Sequence, residues 1–288
     1  MPDARPAGQP AGRPPQIGPL RLAWYAARSL VYWVWQIAVT LALGGPVLIG
    51  AMVSFETGYR WALKWNRANV HGLKWICGVD WRVEGREHVP ETPCLVLSKH
   101  QSTWETYFLA LMFAPAAYVA KRSLARIPIF GQTLVALDFI LIDRKAGRGA
   151  VSQMIEQGRD RLARGRWIIM FPEGTRRAVD ADADYRQGGA ILSRELDAPI
   201  LPVAVDAGHF WPRMGFVKWP GTITVRAMPP VQPQGRAPMA ILAEVAARIE
   251  QGMASMPTAN AATREVARTT REAADSGAHG AVVKKRRR

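Results

Sequence analysis

From Ser29 to Phe55 the chain carries no charged residue, and Leu30, Val31, Trp33, Val34, Trp35, Ile37, Val39, Leu41 and Leu43 make the run strongly apolar. It is longer than the roughly 18 residues of a membrane-span candidate. It also outlasts the roughly 7–15 residue core of a signal peptide, and no small-residue cleavage site follows, so the segment is expected to be retained. Gly44-Gly45-Pro46 in mid-run should break or kink a helix. A helix over 29–43 would reach only about 22 Å against a hydrocarbon core of about 30 Å. Arg21 and Arg28 precede the run and Arg60, Lys64, Arg67 and Lys74 follow it, so both flanks carry the charge usually kept in the cytoplasm. The pattern predicts a re-entrant or monotopic helical hairpin.

Beyond it, Arg60, Lys64, Arg67, His71 and Lys74 recur at helical spacing, beside a second stripe of Trp61, Trp65, Ala68, Gly72 and Trp75. Basic residues next to tryptophans suit a helix at headgroup level; the alternative is a surface helix whose tryptophans pack on the protein's own core. After Cys77 short apolar runs alternate with longer amphipathic ones. Strands are predicted over 81–83, 94–98, 117–120, 139–142, 167–171, 200–205 and 222–226, and helices over 105–113, 130–137, 148–162, 188–196 and 238–253. This alternation predicts an α/β domain: a largely parallel or mixed sheet of about seven strands flanked by helices, with its site at the carboxyl ends of strands.

Residues 1–20, rich in Pro, Gly, Ala and Gln, read as a disordered leader, 21–78 as a membrane-docking hairpin, 79–256 as the catalytic-sized domain, and 257–288, ending Lys284-Lys285-Arg286-Arg287-Arg288, as a disordered basic tail. Lys and Arg total 38 against 23 Asp and Glu in 288 residues, a formal charge of +15. That balance favours anionic partners. Cys77 and Cys94 lack metal-type spacing, so neither a zinc site nor a disulfide scaffold is expected. Nothing implies a metal or a tightly held cofactor, and no nucleic-acid motif accompanies the charge.

Two segments could carry chemistry. His100 follows the 94–98 strand and precedes a helix; Glu105, in that helix's first turn, could fix the imidazole tautomer and stabilise the imidazolium. Ser102-Thr103-Trp104-Glu105 equally matches a capping box, in which Glu105 only satisfies backbone donors. Phe171-Pro172-Glu173-Gly174-Thr175-Arg176 follows the 167–171 strand. Its Pro and Gly would turn the chain and present Thr175, Arg176 and backbone N–H groups to an anion; otherwise it is a solvated turn.

These residues resemble the glycerolipid acyltransferase family typified by 1-acylglycerol-3-phosphate acyltransferases. The blocks are His100-Gln-Ser-Thr-Trp-Glu105; Lys121-Arg122-Ser123-Leu124 with Ile127-Pro128-Ile129-Phe130-Gly131 and Ile142-Asp143-Arg144; the full 171–176 sequence; and Ile200-Leu201-Pro202-Val203. Glu105 stands where Asp is commoner, and Asp138 where many members have Gly. The resemblance implies that His100 deprotonates an acceptor hydroxyl as it attacks a thioester, with Glu105 orienting the ring. It also implies that Arg144 and Arg176 hold a phosphate, with Glu173, Gly174 and Thr175 in the same substrate block. Lys121 and Arg186 are further anion contacts, each equally readable as a surface charge.

The expected partners are a membrane phospholipid surface, a lysolipid acceptor, and acyl-CoA or acyl-carrier protein as donor. The expected location is the inner membrane with the site facing the cytoplasm. Alternatives are glycerol 3-phosphate or another lysolipid, such as a lyso-ornithine lipid, as acceptor, or a catalytically silent lipid-binding protein.

Overall fold

The structure, a computed structural model, describes residues 17–127, 130–143, 146–179 and 181–256. The basic tail and the leader up to residue 16 lie outside these, as do Pro128, Ile129 and Arg144 of the motif blocks. The end of the leader does not match its prediction, because helix α1 (Pro19–Val53) already begins at Pro19.

Helix α1 also overrides the predicted break. It runs 35 residues through Gly44, Gly45 and Pro46 without interruption. The proline forfeits one backbone bond, but Val39, Val47 and Gly50 on either side are buried. Packing of the flanking turns outweighs local propensity. The chain reverses instead at Ser54, which is extended (φ −160°, ψ 156°) and whose Oγ accepts from Thr57 N at 3.1 Å. This cap starts α2 (Phe55–Cys77), which ends at Gly78 with φ 71°, a left-handed conformation suited to glycine. The hairpin was correctly anticipated; its turn lies nearly ten residues later than expected.

The two helices approach closely at small residues. A Cβ on Gly58 would lie 2.6 Å from Ala51 Cβ, and one on Gly72 would lie 2.2 Å from Trp35 Nε1. The α2 tryptophans divide between the two readings. Trp65 donates to Thr40 Oγ1 on α1 and meets Tyr107 edge-on at 5.0 Å, so it belongs to the protein's interior surface. Trp75 is 71% exposed.

Seven strands follow: β1 (Val79–Glu84), β2 (Leu95–Ser98), β3 (Ala116–Lys121), β4 (Ile140–Ile142), β5 (Trp167–Met170), β6 (Ile200–Val205) and β7 (Gly221–Ala227). They form one sheet in the order β1-β7-β6-β2-β5-β3-β4. Pairings from β6 through β2, β5 and β3 to β4 are parallel, β6 with β7 is antiparallel, and β7 with β1 is parallel. The sheet is therefore mixed, as expected. On one face lie α1, α2 and α3 (Trp104–Met112), around Tyr32, Leu73, Trp104 and Leu109; on the other lie α5 (Arg148–Ala163), α6 (Gly188–Leu196) and α7 (Pro238–Ala254), around Met154, Leu192 and Ile249.

The chain leaves β2 into α3 on one face and β5 into α6 on the other. Adjacent strands β2 and β5 thus flank a topological switch point, where α/β sheets open a crevice at their carboxyl ends.

The Asp138 departure has a structural account. Asp138 sits at φ 58° between α4 (Phe130–Ala136) and β4, the left-handed conformation that Gly supplies and Asp tolerates. Its carboxylate bonds Arg166, whose guanidinium is buried and lies 3.6 Å from the ring centroid of Phe55 at the hairpin turn. Arg161 and Arg164 approach the same carboxylate at 3.6 and 3.7 Å. Asp138→Ala, which combines backbone strain with an unpaired buried guanidinium, is expected to cost on the order of 2–3 kcal/mol. Asp138→Asn keeps the left-handed tolerance and an acceptor and should cost less. Thermal melts of both variants test this; an unchanged Tm in Asp138→Ala would contradict it.

Candidate active site

His100 lies two residues past the end of β2, in the loop that leads to α3. A buried loop must find partners for its own N–H and C=O groups. Those of His100 are both taken by the segment after β5: its N–H donates to Glu173 Oε1 at 3.1 Å, and its C=O accepts from Arg177 N at 2.7 Å. Phe171, the first residue of that segment, stacks on the imidazole at 3.7 Å between centroids and 10° between planes. The ring is therefore held by its main chain and by one face.

Glu105 fixes its remaining freedom. Oε1 lies 3.0 Å from His100 Nδ1 and accepts from Gln101 N at 2.7 Å and Ser102 N at 2.6 Å. Glu105 therefore makes the contacts of both readings: it accepts from backbone donors ahead of α3, and it meets the imidazole. The box geometry is partial, because Ser102 Oγ accepts from Trp104 N rather than from the third helical residue. With Nδ1–H committed to a buried carboxylate, Nε2 carries the lone pair, and among the described residues it has no hydrogen-bond partner. Such an imidazole can accept a proton.

In the third block Glu173 is placed against the histidine loop. Glu173 does not face outward: it is fully buried beneath His100, with Oε1 bonded to the His100 N–H and 3.8 Å from Lys99 Nζ. Burial pushes its carboxyl above the usual range, opposed by the His100 N–H and by Lys99. It holds the histidine loop. Gly174 closes the turn at φ 69°, its N–H donating to Phe171 O at 3.0 Å, and Thr175 is exposed. Arg176, half-buried, donates from Nη1 to Thr103 Oγ1 at 2.6 Å, which brings the guanidinium to the start of α3.

Lys121 is exposed at the carboxyl end of β3, on the same edge of the sheet, and Arg144 lies outside the described residues. Arg186 is exposed at a cavity of about 230 Å³ lined by Met154, Met170, Phe171, Pro172 and Gly174. Among the described residues no group of three or more His, Cys, Asp or Glu side chains could hold a metal ion.

Sequence reasoning missed Lys99, Tyr185 and Glu250. Lys99 Nζ is buried, 2.8 Å from Glu250 Oε1 on α7 and 3.3 Å from Tyr185 OH. Lys99 adjoins His100 in the chain; Glu250 lies 151 positions further on, with no motif to single it out.

Residues 80–206 match the family model described as Acyltransferase. A 1-acyl-sn-glycerol-3-phosphate acyltransferase of Pseudomonas aeruginosa is 38% identical over 227 residues, covering 78% of this chain and 88% of that protein. One of Saccharomyces cerevisiae is 28% identical over 61% of this chain and 60% of its own length. Among solved structures, the 1-acyl-sn-glycerophosphate (LPA) acyltransferase PlsC of Thermotoga maritima superposes with a TM-score of 0.65 at 22% identity, over 81% of this chain and all of that one, which is a likeness of fold. By its coverage and identity with the Pseudomonas protein, the chain is an acyltransferase and belongs to the 1-acyl-sn-glycerol-3-phosphate acyltransferase family.

Proposed function

We propose that the chain transfers a fatty acyl group from acyl-CoA or acyl-carrier protein to the free hydroxyl of 1-acylglycerol 3-phosphate, with His100 as general base. One observation carries this reading: an imidazole held on Nδ1 by buried Glu105, clamped through its main chain, with Nε2 left available at the carboxyl edge of the sheet. The names of the relatives supply the acceptor class.

In the proposed step, Nε2 takes the proton of the acceptor hydroxyl as its oxygen bonds to the thioester carbonyl carbon. Glu105, 3.0 Å from Nδ1, balances the imidazolium. Collapse of the tetrahedral intermediate breaks the C–S bond, and the imidazolium returns its proton to the departing sulfur. No enzyme nucleophile is required.

Arg176, tethered to Thr103 beside the histidine loop, is suited to the acceptor's phosphate, and a guanidinium matches that group through paired hydrogen bonds. Arg144 and Lys121 are proposed to assist. Glu173 is reassigned from substrate contact to support of His100.

A lysolipid acceptor resides in a membrane, and the protein has a surface to meet it. Helix α1 is long and apolar enough to cross a bilayer, but Ser29, Tyr32, Val39, Val47 and Gly50 are buried along one stripe. The opposite stripe, with Leu30, Val34, Ile37 and Leu41, is exposed. A helix packed along one side and apolar along the other suits in-plane docking rather than a crossing. Phe216, whose carbonyl accepts from Trp33 Nε1 at 3.4 Å, and half-exposed Phe130 on α4 would extend the contact. We propose a cytoplasm-facing site on the inner membrane.

A matrix of acyl donors against lysolipid acceptors with the purified enzyme should give the highest kcat/KM with 1-acylglycerol 3-phosphate; preference for another acceptor would overturn the substrate assignment. His100→Ala is expected to lower kcat by about 10²–10⁴, the range of general-base assistance, and undiminished turnover would remove His100 from the mechanism. Arg176→Ala should raise the acceptor KM more than it lowers kcat. Replacing Val34, Ile37 and Leu41 together by Glu should abolish sedimentation with phospholipid vesicles while leaving the fold's circular dichroism unchanged; retained binding would argue against docking through α1.

A further inference from the structure

Behind the catalytic loop lies a buried charged cluster that the proposed step does not use. Lys99, next to His100, is 4% exposed, and its ammonium is surrounded by groups from three distant parts of the chain. Glu250 Oε1 on α7 lies 2.8 Å away, Tyr185 OH ahead of α6 at 3.3 Å, and Glu173 Oε1 at 3.8 Å. Tyr185 in turn donates to the same Glu250 oxygen at 2.5 Å. A buried ammonium is tolerated only when paired and hydrogen-bonded, and this one is.

The cluster meets the chemistry at a single atom. Glu173 Oε1 accepts from the His100 N–H and is also the carboxylate oxygen that Lys99 approaches. Its second oxygen is buried without a protein hydrogen-bond partner among the described residues. The pairs are unequal: Lys99 is within hydrogen-bond distance of Glu250 but not of Glu173. If Lys99 were free of Glu250 it could close on Glu173 and compete for the oxygen that holds the His100 main chain. If Lys99 were absent, the buried carboxylate would face only the His100 N–H.

We propose that Glu250 and Tyr185 are positioning residues for the acyl-transfer step. From α7 and the approach to α6 they hold the Lys99 ammonium beside Glu173 without letting it displace the carboxylate from the His100 N–H, and so hold the imidazole in place. The assignment rests on His100 being the base. It makes α7, which supplies no motif residue, a working part of the active site.

The charged and titratable groups facing Glu173 are Lys99, His100, Glu250 and Tyr185, and they give the proposal a signature in sign. Burial already raises the Glu173 carboxyl, and Lys99 works against that rise. In Lys99→Met the Glu173 carboxyl loses the cation that opposes its rise and takes up its proton at higher pH, so the acid limb of the kcat profile moves up. In Glu250→Gln a negative charge is lost while the ammonium remains, so the acid limb stays or moves down.

The test is a pH series of kcat and KM for the full-length enzyme in mixed micelles with 1-acylglycerol 3-phosphate and acyl-CoA. It compares wild type with Lys99→Met, Glu250→Gln, Glu250→Asp and Tyr185→Phe, with His100→Ala as reference. Glu250→Gln should lower kcat on the order of 10-fold, the scale of a small displacement of a reacting group, with both KM values within about twofold. Glu250→Asp should recover part of the loss, and Tyr185→Phe, which removes only a hydroxyl, should show a smaller loss of the same kind. Wild-type kcat in both Glu250→Gln and Tyr185→Phe, or acid limbs that move the same way in Lys99→Met and Glu250→Gln, would overturn the proposal. Should Glu250→Gln fail to fold, Tyr185→Phe decides alone. An active His100→Ala would instead sink the general-base reading, whereas an inactive His100→Ala beside unaffected Glu250 and Tyr185 variants sinks only the positioning role.

Discussion

The clamp on the His100 main chain is the constraint on which the site depends. Two short loops leave adjacent parallel strands at the switch point, and each is too irregular to satisfy its own backbone. They satisfy one another. Glu173 accepts the His100 N–H, Arg177 N–H donates to the His100 carbonyl, and Phe171 covers the imidazole. The first and third motif blocks, 66 residues apart between their nearest ends, are therefore one structure: neither loop has a defined shape without the other. Glu105 then acts on a ring whose position is already set, and its three bonds through one oxygen make it both the end of a loop and a partner of the imidazole.

The hairpin is joined to this domain by polar contacts as well as apolar burial. Tyr59 OH accepts from Ala116 N at 2.8 Å at the start of β3, and Gln36 Nε2 donates to Tyr107 OH at 2.6 Å on the helix that carries Glu105. At the other end Lys218, almost fully buried, donates from its backbone N to Ser29 Oγ and from Nζ to Phe216 O, with the ammonium 3.8 Å from the ring centroid of Trp33. Burial lowers its pKa to about 7. Ring faces and a carbonyl, rather than a carboxylate, are what sustain any charge there. These contacts fix α1 against the domain with its apolar stripe outward.

Much of this was legible in sequence, for identifiable reasons. The strand segments were short apolar runs bounded by turn residues, and 200–205 and 188–196 match the observed β6 and α6 end to end. Strand order was not legible, since nothing local says that β5 inserts between β2 and β3. The predicted break at Pro46 failed because propensity describes an isolated helix, while α1 is packed on both sides of the proline. At the site, the proximity of His100 and Glu105 was readable because they are five residues apart. The inward placement of Glu173 was not, because a Pro-Glu-Gly turn looks the same whether its carboxylate points to water or beneath a neighbouring loop. The pairing of Lys99 with Glu250 gave no signal for the same reason: an ion pair across the fold leaves no spacing in the chain.

The distribution of buried charge indicates what this arrangement is for. Glu105, Glu173 and Lys99 are each at most 4% exposed. Ionised groups in such positions rarely stabilise a fold relative to apolar side chains of similar volume. Both carboxylates also keep a second oxygen buried without a protein hydrogen bond among the described residues, which adds to the cost. A sheet closed with apolar residues at all three positions would leave the N–H groups of His100, Gln101 and Ser102 without these acceptors. What it would lack is a fixed electrostatic environment around one imidazole: a carboxylate on Nδ1, a second under the main chain, and an ammonium beyond the second. The groups that impose this cost lie within one or two contacts of His100.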